Sequence, residues 1–136
     1  MSGGVLSGSD NVTISGATSW TGGIMRGSGL TTTNGSLDIV ATNSAELDGR
    51  TLNINGGAVL SGSSFWRGRN GAVINNAGLF DLQFDNLIHH VGNEGATPAF
   101  NNLASGTLRK VAGAGFTGLE FALNNSGAVQ ITPRTL

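Results

Sequence analysis

Asn75-Asn76-Ala77-Gly78-Leu79-Phe80-Asp81-Leu82 and Asn124-Asn125-Ser126-Gly127-Ala128-Val129-Gln130-Ile131 are two versions of one phrase. Each opens on Asn, passes through a short Gly-containing step and ends in alternating apolar positions. The same phrase reads as Asn34-Gly35-Ser36-Leu37-Asp38-Ile39 and as Asn55-Gly56-Gly57-Ala58-Val59-Leu60. A stretched copy runs from Asn101-Asn102 to Leu108-Arg109-Lys110-Val111, and a weaker one is Asn11-Val12-Thr13-Ile14. The opening Asn residues fall at 11, 34, 55, 75, 101 and 124, so the intervals are 23, 21, 20, 26 and 23 residues. Strands average about 5–6 residues. One interval therefore holds two or three strands with their turns, which is the content of one coil of a parallel β-helix. A propeller blade needs about 40–45 residues, and leucine-rich repeats need a Leu ladder that is not found here.

The expected fold is all-β: a right-handed parallel β-helix (β-solenoid) of about six coils of 20–26 residues, forming a single domain over 1–136. The hand follows from the crossover rule for parallel strands. One coil cannot bury its own apolar side chains, so coils must stack. Stacking is expected to gather Val12, Ile39, Val59, Leu79, Leu108 and Val129 in a shared interior column. It also lines up Asn34, Asn55, Asn75, Asn101 and Asn124 as a structural ladder at a corner, where Asn tolerates left-handed geometry. Phe80, Phe84, Leu87, Ile88 and Val91 have helical spacing, yet Phe80, Leu82 and Phe84 alternate. The reading favours a strand over 79–84 that leads into an irregular excursion over 85–99.

Composition agrees with this and narrows function. Glycine makes up 23 of 136 residues, against about 7% in ordinary proteins. Charged residues are 11%, and seven Lys+Arg nearly balance eight Asp+Glu. Nucleic acid and anionic membranes both call for a basic patch, so neither is expected as the partner. No apolar run approaches the length of a membrane span, so no membrane insertion is expected. The start Met1-Ser2-Gly3-Gly4 lacks the basic and apolar regions of a signal peptide. Without cysteine there are no disulfides and no thiolate metal or redox sites.

The stretch Phe100-Asn101-Asn102 to Leu108-Arg109-Lys110, then Gly115-Phe116, Asn124-Asn125-Ser126-Gly127 and Val129, resembles the low-charge Asn/Gly/Thr-rich repeats of large bacterial secreted and surface proteins. Autotransporter-like and filamentous-haemagglutinin-like adhesins carry such repeats, and Ser19-Trp20-Thr21-Gly22-Gly23-Ile24-Met25 fits the same style. The resemblance covers about 11 to 131. It implies an extracellular or cell-surface setting and a non-catalytic structural or adhesive role. Some solenoid relatives are polysaccharide lyases or hydrolases, but no active-site motif of theirs can be carried onto this chain.

Candidate sites are few. Trp20 and Trp66, with Arg67, Arg69 and Asn70 beside the second, fit two readings. They form an aromatic platform for a polysaccharide or host glycan, or the rings pack inside the solenoid. Asp81 and Asp85 with Asp38 are the only approach to a paired-carboxylate glycosidase. His89-His90 near Asp85 and Glu94 is a poor chelate, because neighbours on a strand point to opposite faces. Thr31-Thr32-Thr33 is a single run, not a Thr array repeated per coil. No cofactor or metal is expected. The ends of a solenoid expose unpaired backbone and apolar interior, so further coils or end-to-end self-association are expected there.

Overall fold

The computed structural model describes residues 1–42, 45–92 and 95–132. The chain makes six laps, each laying down three short strands. The first lap is β1 (Ser2–Leu6), β2 (Val12–Ile14) and β3 (Thr18–Trp20). The second is β4 (Gly22–Arg26), β5 (Leu30–Thr33) and β6 (Leu37–Ala41), and the third is β7 (Ala45–Asp48), β8 (Thr51–Ile54) and β9 (Ala58–Gly62). The fourth is β10 (Trp66–Arg69), β11 (Val73–Asn76) and β12 (Leu79–Leu82). Then come β13 (Leu87–His90), β14 (Ala99–Asn102) and β15 (Thr107–Lys110), and last β16 (Gly118–Leu119), β17 (Ala122–Asn125) and β18 (Ala128–Ile131). Every third strand joins the same six-stranded parallel sheet: β1 to β16 in sheet A, β2 to β17 in sheet B and β3 to β18 in sheet C. The molecule is a β-solenoid of six coils, about 24–29 Å long at the usual inter-strand spacing.

Alternation decides which side chains enter the tube. In sheet C the inward columns are Thr18–Leu37–Ala58–Phe80–Leu108–Val129 and Trp20–Ile39–Leu60–Leu82. Leu52, Ile74 and Phe100 do the same in sheet B, and Leu47, Trp66 and Ile88 in sheet A. The expected interior column of six is therefore only partly right. Leu108 and Val129 share one, and Ile39 is in the next. Val12 belongs to sheet B, while Val59 and Leu79 point outward. Counting from each Asn shifts these two by one residue, and a one-residue slip changes the face. The core is an aromatic chain: Trp20 meets Trp66 edge-on at 5.8 Å, Trp66 stacks on Phe80 at 6.1 Å, and Phe80 meets Phe100 edge-on at 5.1 Å.

The corner between sheets B and C explains the repeating glycine. A Cβ on Gly56 would lie 2.2 Å from the Asn34 carbonyl oxygen, and one on Gly127 would lie 2.2 Å from that of Gly106. Coils approach too closely there for any side chain. At the corner between sheets A and B the buried Arg50 holds three coils together. Its guanidinium donates to the carbonyls of Gly8 (3.2 Å), Asp10 (2.9 Å) and Leu30 (3.3 Å), and its Nε donates to Thr31 Oγ1 (2.8 Å). The expected excursion over 85–99 is shorter than the sequence implied, because β13 lies inside it and pairs with β10 and β16. The helix-like spacing arises from a strand, a turn that buries Phe84, and the next strand.

Candidate functional site

The outer faces of the three sheets carry the candidate chemistry. On sheet A the outward side chains of β7, β10 and β13 place Glu46, Arg67 and His89 side by side in register. Glu46 is buried beneath an ion pair with Arg69 (2.8 Å), and Asn70 Nδ2 donates to Asp48 Oδ1 at 2.6 Å. Asn70 itself turns the corner with φ of 52°, a geometry Asn accepts more readily than most residues. His89 Nδ1 lies 2.6 Å from Glu120 Oε2, and its ring packs on Phe65 with centroids 5.2 Å apart.

The two tryptophans are not part of this surface. Trp20 and Trp66 are both 0% exposed and sit in different sheets, with Trp66 between the outward Arg67 and the turn before it. The glycan platform built on them is corrected by the alternation that sends Thr18 and Trp20 inward and Ser19 outward. Of the five proposed ligand residues, Arg67, Arg69 and Asn70 remain together on the outside.

On sheet C, Asp38, Val59, Asp81 and Arg109 form one outward column. Asp38 and Asp81 are thus separated by the whole of β9. Arg109 grips Asp81 with Nε (3.1 Å) and Nη2 (2.9 Å), and Gln83 Nε2 adds a third bond (2.9 Å). The Arg109 bonds hold the Asp81 carboxyl below the usual carboxylate range, against the opposing effect of burial. Such a group stays ionised and is unsuited to general-acid work. Asp85 sits in the turn after β12, where Lys110 Nζ (2.9 Å) and the Ala114 N–H (2.7 Å) bind it. The Lys110 bond first, then the Gly115 and Ala114 N–H groups, bring its pKa down to about 2. The three carboxylates do not converge. Asp38, Leu79, Asp81 and Arg109 instead line a shallow groove of about 220 Å³. His89 and His90 point to opposite faces, and Glu94 lies outside the described residues. Among the described residues no cluster of three or more metal-ligating side chains occurs.

The amide ladder exists for Asn75, Asn101 and Asn124, but it continues from Asn53 and not from Asn55. In sheet B, Asn75 donates to Asn53 Oδ1, Asn101 to Asn75 Oδ1 and Asn124 to Asn101 Oδ1, each at 2.8 Å. Asn34 and Asn55 form a separate step two residues farther along the chain, at 2.9 Å, just past β5 and β8. A second ladder runs inside the tube: Asn76 Nδ2 donates to Asn102 Oδ1 (2.9 Å), and Asn102 Nδ2 donates to Asn125 Oδ1 (2.7 Å). Asn76 and Asn102 are buried. Sequence reasoning missed Asn53 and the inner ladder. The signal of the inner ladder is the doublet at 75–76, 101–102 and 124–125, whose members must face opposite ways on a strand. Arg50 carried no sequence signal at all.

No protein-family model matches this chain, and searches of the curated proteins and of the solved structures likewise return no match.

Proposed function

We propose that this chain is a non-catalytic structural and adhesive module of a bacterial secreted or cell-surface protein, acting as a rigid segment of an extracellular rod. One observation carries the reading: the side-chain networks of the described residues run along the axis and join neighbouring coils. The outer Asn ladder spans coils three to six, the inner one spans four to six, and Arg50 ties the first three. The pairs Glu46–Arg69, Asp81–Arg109 and His89–Glu120 each bridge adjacent coils. Amides and ion pairs arranged this way stiffen a stack and leave a polar exterior.

A second reading rests on the sheet C groove, where a carboxylate and a guanidinium flank apolar Val59 and Leu79. Sugars offer hydroxyls to such charged groups and C–H faces to such apolar ones. Glycan and polysaccharide arrays, an assay for released reducing or unsaturated ends, and retention of protein-coated beads on cells separate the options. The module reading expects bead retention, no released sugar ends, and array behaviour unchanged by Arg109→Ala. Array binding that disappears with Arg109→Ala supports the groove. Released ends overturn both.

A further inference from the structure

The sixth coil leaves its interior open. Leu123 and Val129 are each 45% exposed, although their register partners one coil earlier, Phe100 and Leu108, are buried, and Ile131 is 73% exposed. These side chains line a largely apolar cavity of about 190 Å³ at that end of the tube. Exposed apolar surface alone does not name an occupant. The two amide ladders do.

Both ladders reach this face with a fixed polarity. In the outer ladder every Nδ2 points back toward the first coil, so Asn124 presents Oδ1 forward. In the inner ladder the donors point forward. Asn76 donates to Asn102 Oδ1 and to the Thr107 carbonyl, and Asn102 donates to Asn125 Oδ1 and to the Ala128 carbonyl. Asn125 Nδ2 keeps only the local bond to the Gly127 carbonyl (3.1 Å), the counterpart of Asn76 to Gly78. Among the described residues nothing donates to Asn124 Oδ1, and nothing in a following coil accepts from Asn125 Nδ2. The face thus offers one acceptor and one donor, side by side, in the pattern that Asn75-Asn76 offers to Asn101-Asn102.

We propose that the open C-terminal face is a docking surface for one further parallel β-coil whose sheet B strand carries an Asn-Asn doublet. This deepens the rod reading and rests on it. The surface continues an interface already repeated between coils four, five and six, with the same register and the same donors. A second copy of this chain fits less well, because its first coil would bring Thr13 and Ile14 to the doublet positions. Ile14 has no side-chain acceptor for Asn125.

The test appends a copy of residues 66–82, which holds β10, β11 and β12 with Asn75-Asn76, after Leu136 of the full chain. The five residues 132–136 then serve as the connection, within the range of the natural turns 63–65 and 111–117. A control carries Asn75→Leu and Asn76→Leu in the copy alone, which keeps the apolar cover and removes the amides. Amide hydrogen exchange is read at β17 and β18, and sedimentation velocity is run on the parent chain. The expected result is at least tenfold slower exchange with the Asn copy than with the Leu copy, as two side-chain hydrogen bonds imply. Equal protection by both copies, or by neither, overturns the proposal. So does a parent dimer that protects β17 and β18 as well as the Asn copy does. The rod reading survives those outcomes, since bead retention and sugar release test it separately.

Discussion

Replacing Asn102 by Asp changes one NH2 to one oxygen inside the tube and leaves the shape alone. In the parent, Asn102 Nδ2 donates to Asn125 Oδ1 at 2.7 Å and to the Ala128 carbonyl at 2.8 Å. In Asn102→Asp both contacts set a carboxylate oxygen against another oxygen. Two bonds of about 1 kcal/mol each disappear, and two acceptors lose their donor. Burying a carboxylate whose one remaining side-chain donor is Asn76 Nδ2 adds to this, for a total of about 3–5 kcal/mol at neutral pH. Burial raises the pKa of the new Asp above its unfolded value near 3.9. The variant is therefore closest to the parent below about pH 4 and falls behind as pH rises through the raised pKa. A solenoid couples mainly nearest neighbours, so the loss stays local. Exchange of amides in β17 and β18 should accelerate by about 100-fold or more, while β5 and β8 keep their parental rates. Hydrogen exchange by mass spectrometry at pH 4 and 7 reads both effects. A loss under about 1 kcal/mol, or one that does not depend on pH, would refute the inner ladder. Equal acceleration in all six coils would refute nearest-neighbour coupling.

Other perturbations follow from the same geometry. Trp66→Ala removes the ring at the centre of the aromatic chain and should cost about 3–5 kcal/mol in chemical denaturation, as buried aromatic truncations do; a loss under 1 kcal/mol would contradict its burial. Arg50→Met keeps the stem and removes the guanidinium, leaving carbonyls of Gly8, Asp10 and Leu30 without that donor. Exchange should accelerate at β2 and β5 by roughly tenfold or more and stay unchanged at β17; the reverse pattern would contradict the clamp. The Asp85 carboxyl, followed by NMR, should titrate near pH 2, together with the Ala114 amide. Because this pKa is depressed, the hold of Asp85 on the turn is complete above about pH 4 and is lost as pH falls toward 2. A midpoint at the ordinary Asp value would show that Lys110 does not reach it.

The tube itself was readable because stacking coils impose a period, and the Asn-Gly and Asn-Asn phrases mark it. The side of the wall on which a residue lies was harder to read. Two amide columns lie two residues apart, so Asn55 was paired with Asn75 although Asn53 is its true partner. A two-residue shift keeps the face, so Val59 and Leu79 are misplaced for another reason: each stands one residue before an inward neighbour, Leu60 and Phe80. Both tryptophans follow ordinary alternation, but their strands begin just after a turn, where periodicity gives no phase. Phe80, Phe84 and Ile88 mimicked a helix because a buried turn residue joins two inward strand residues. The carboxylates could not be placed from spacing, since their partners Arg109 and Lys110 come from the following coil, more than 20 residues away. Arg50 satisfies backbone carbonyls, and these have no sequence signature.

The stacking of laps is tested most directly by inter-strand nuclear Overhauser effects in the isotope-labelled chain. Parallel-pattern contacts should join Val73 to Ala99, Asn75 to Asn101 and Phe80 to Leu108, and the side-chain amides of Asn53, Asn75, Asn101 and Asn124 should connect in that order. Close Hα–Hα contacts between strands adjacent in sequence, such as β11 with β12, would mean antiparallel hairpins, and no solenoid would remain.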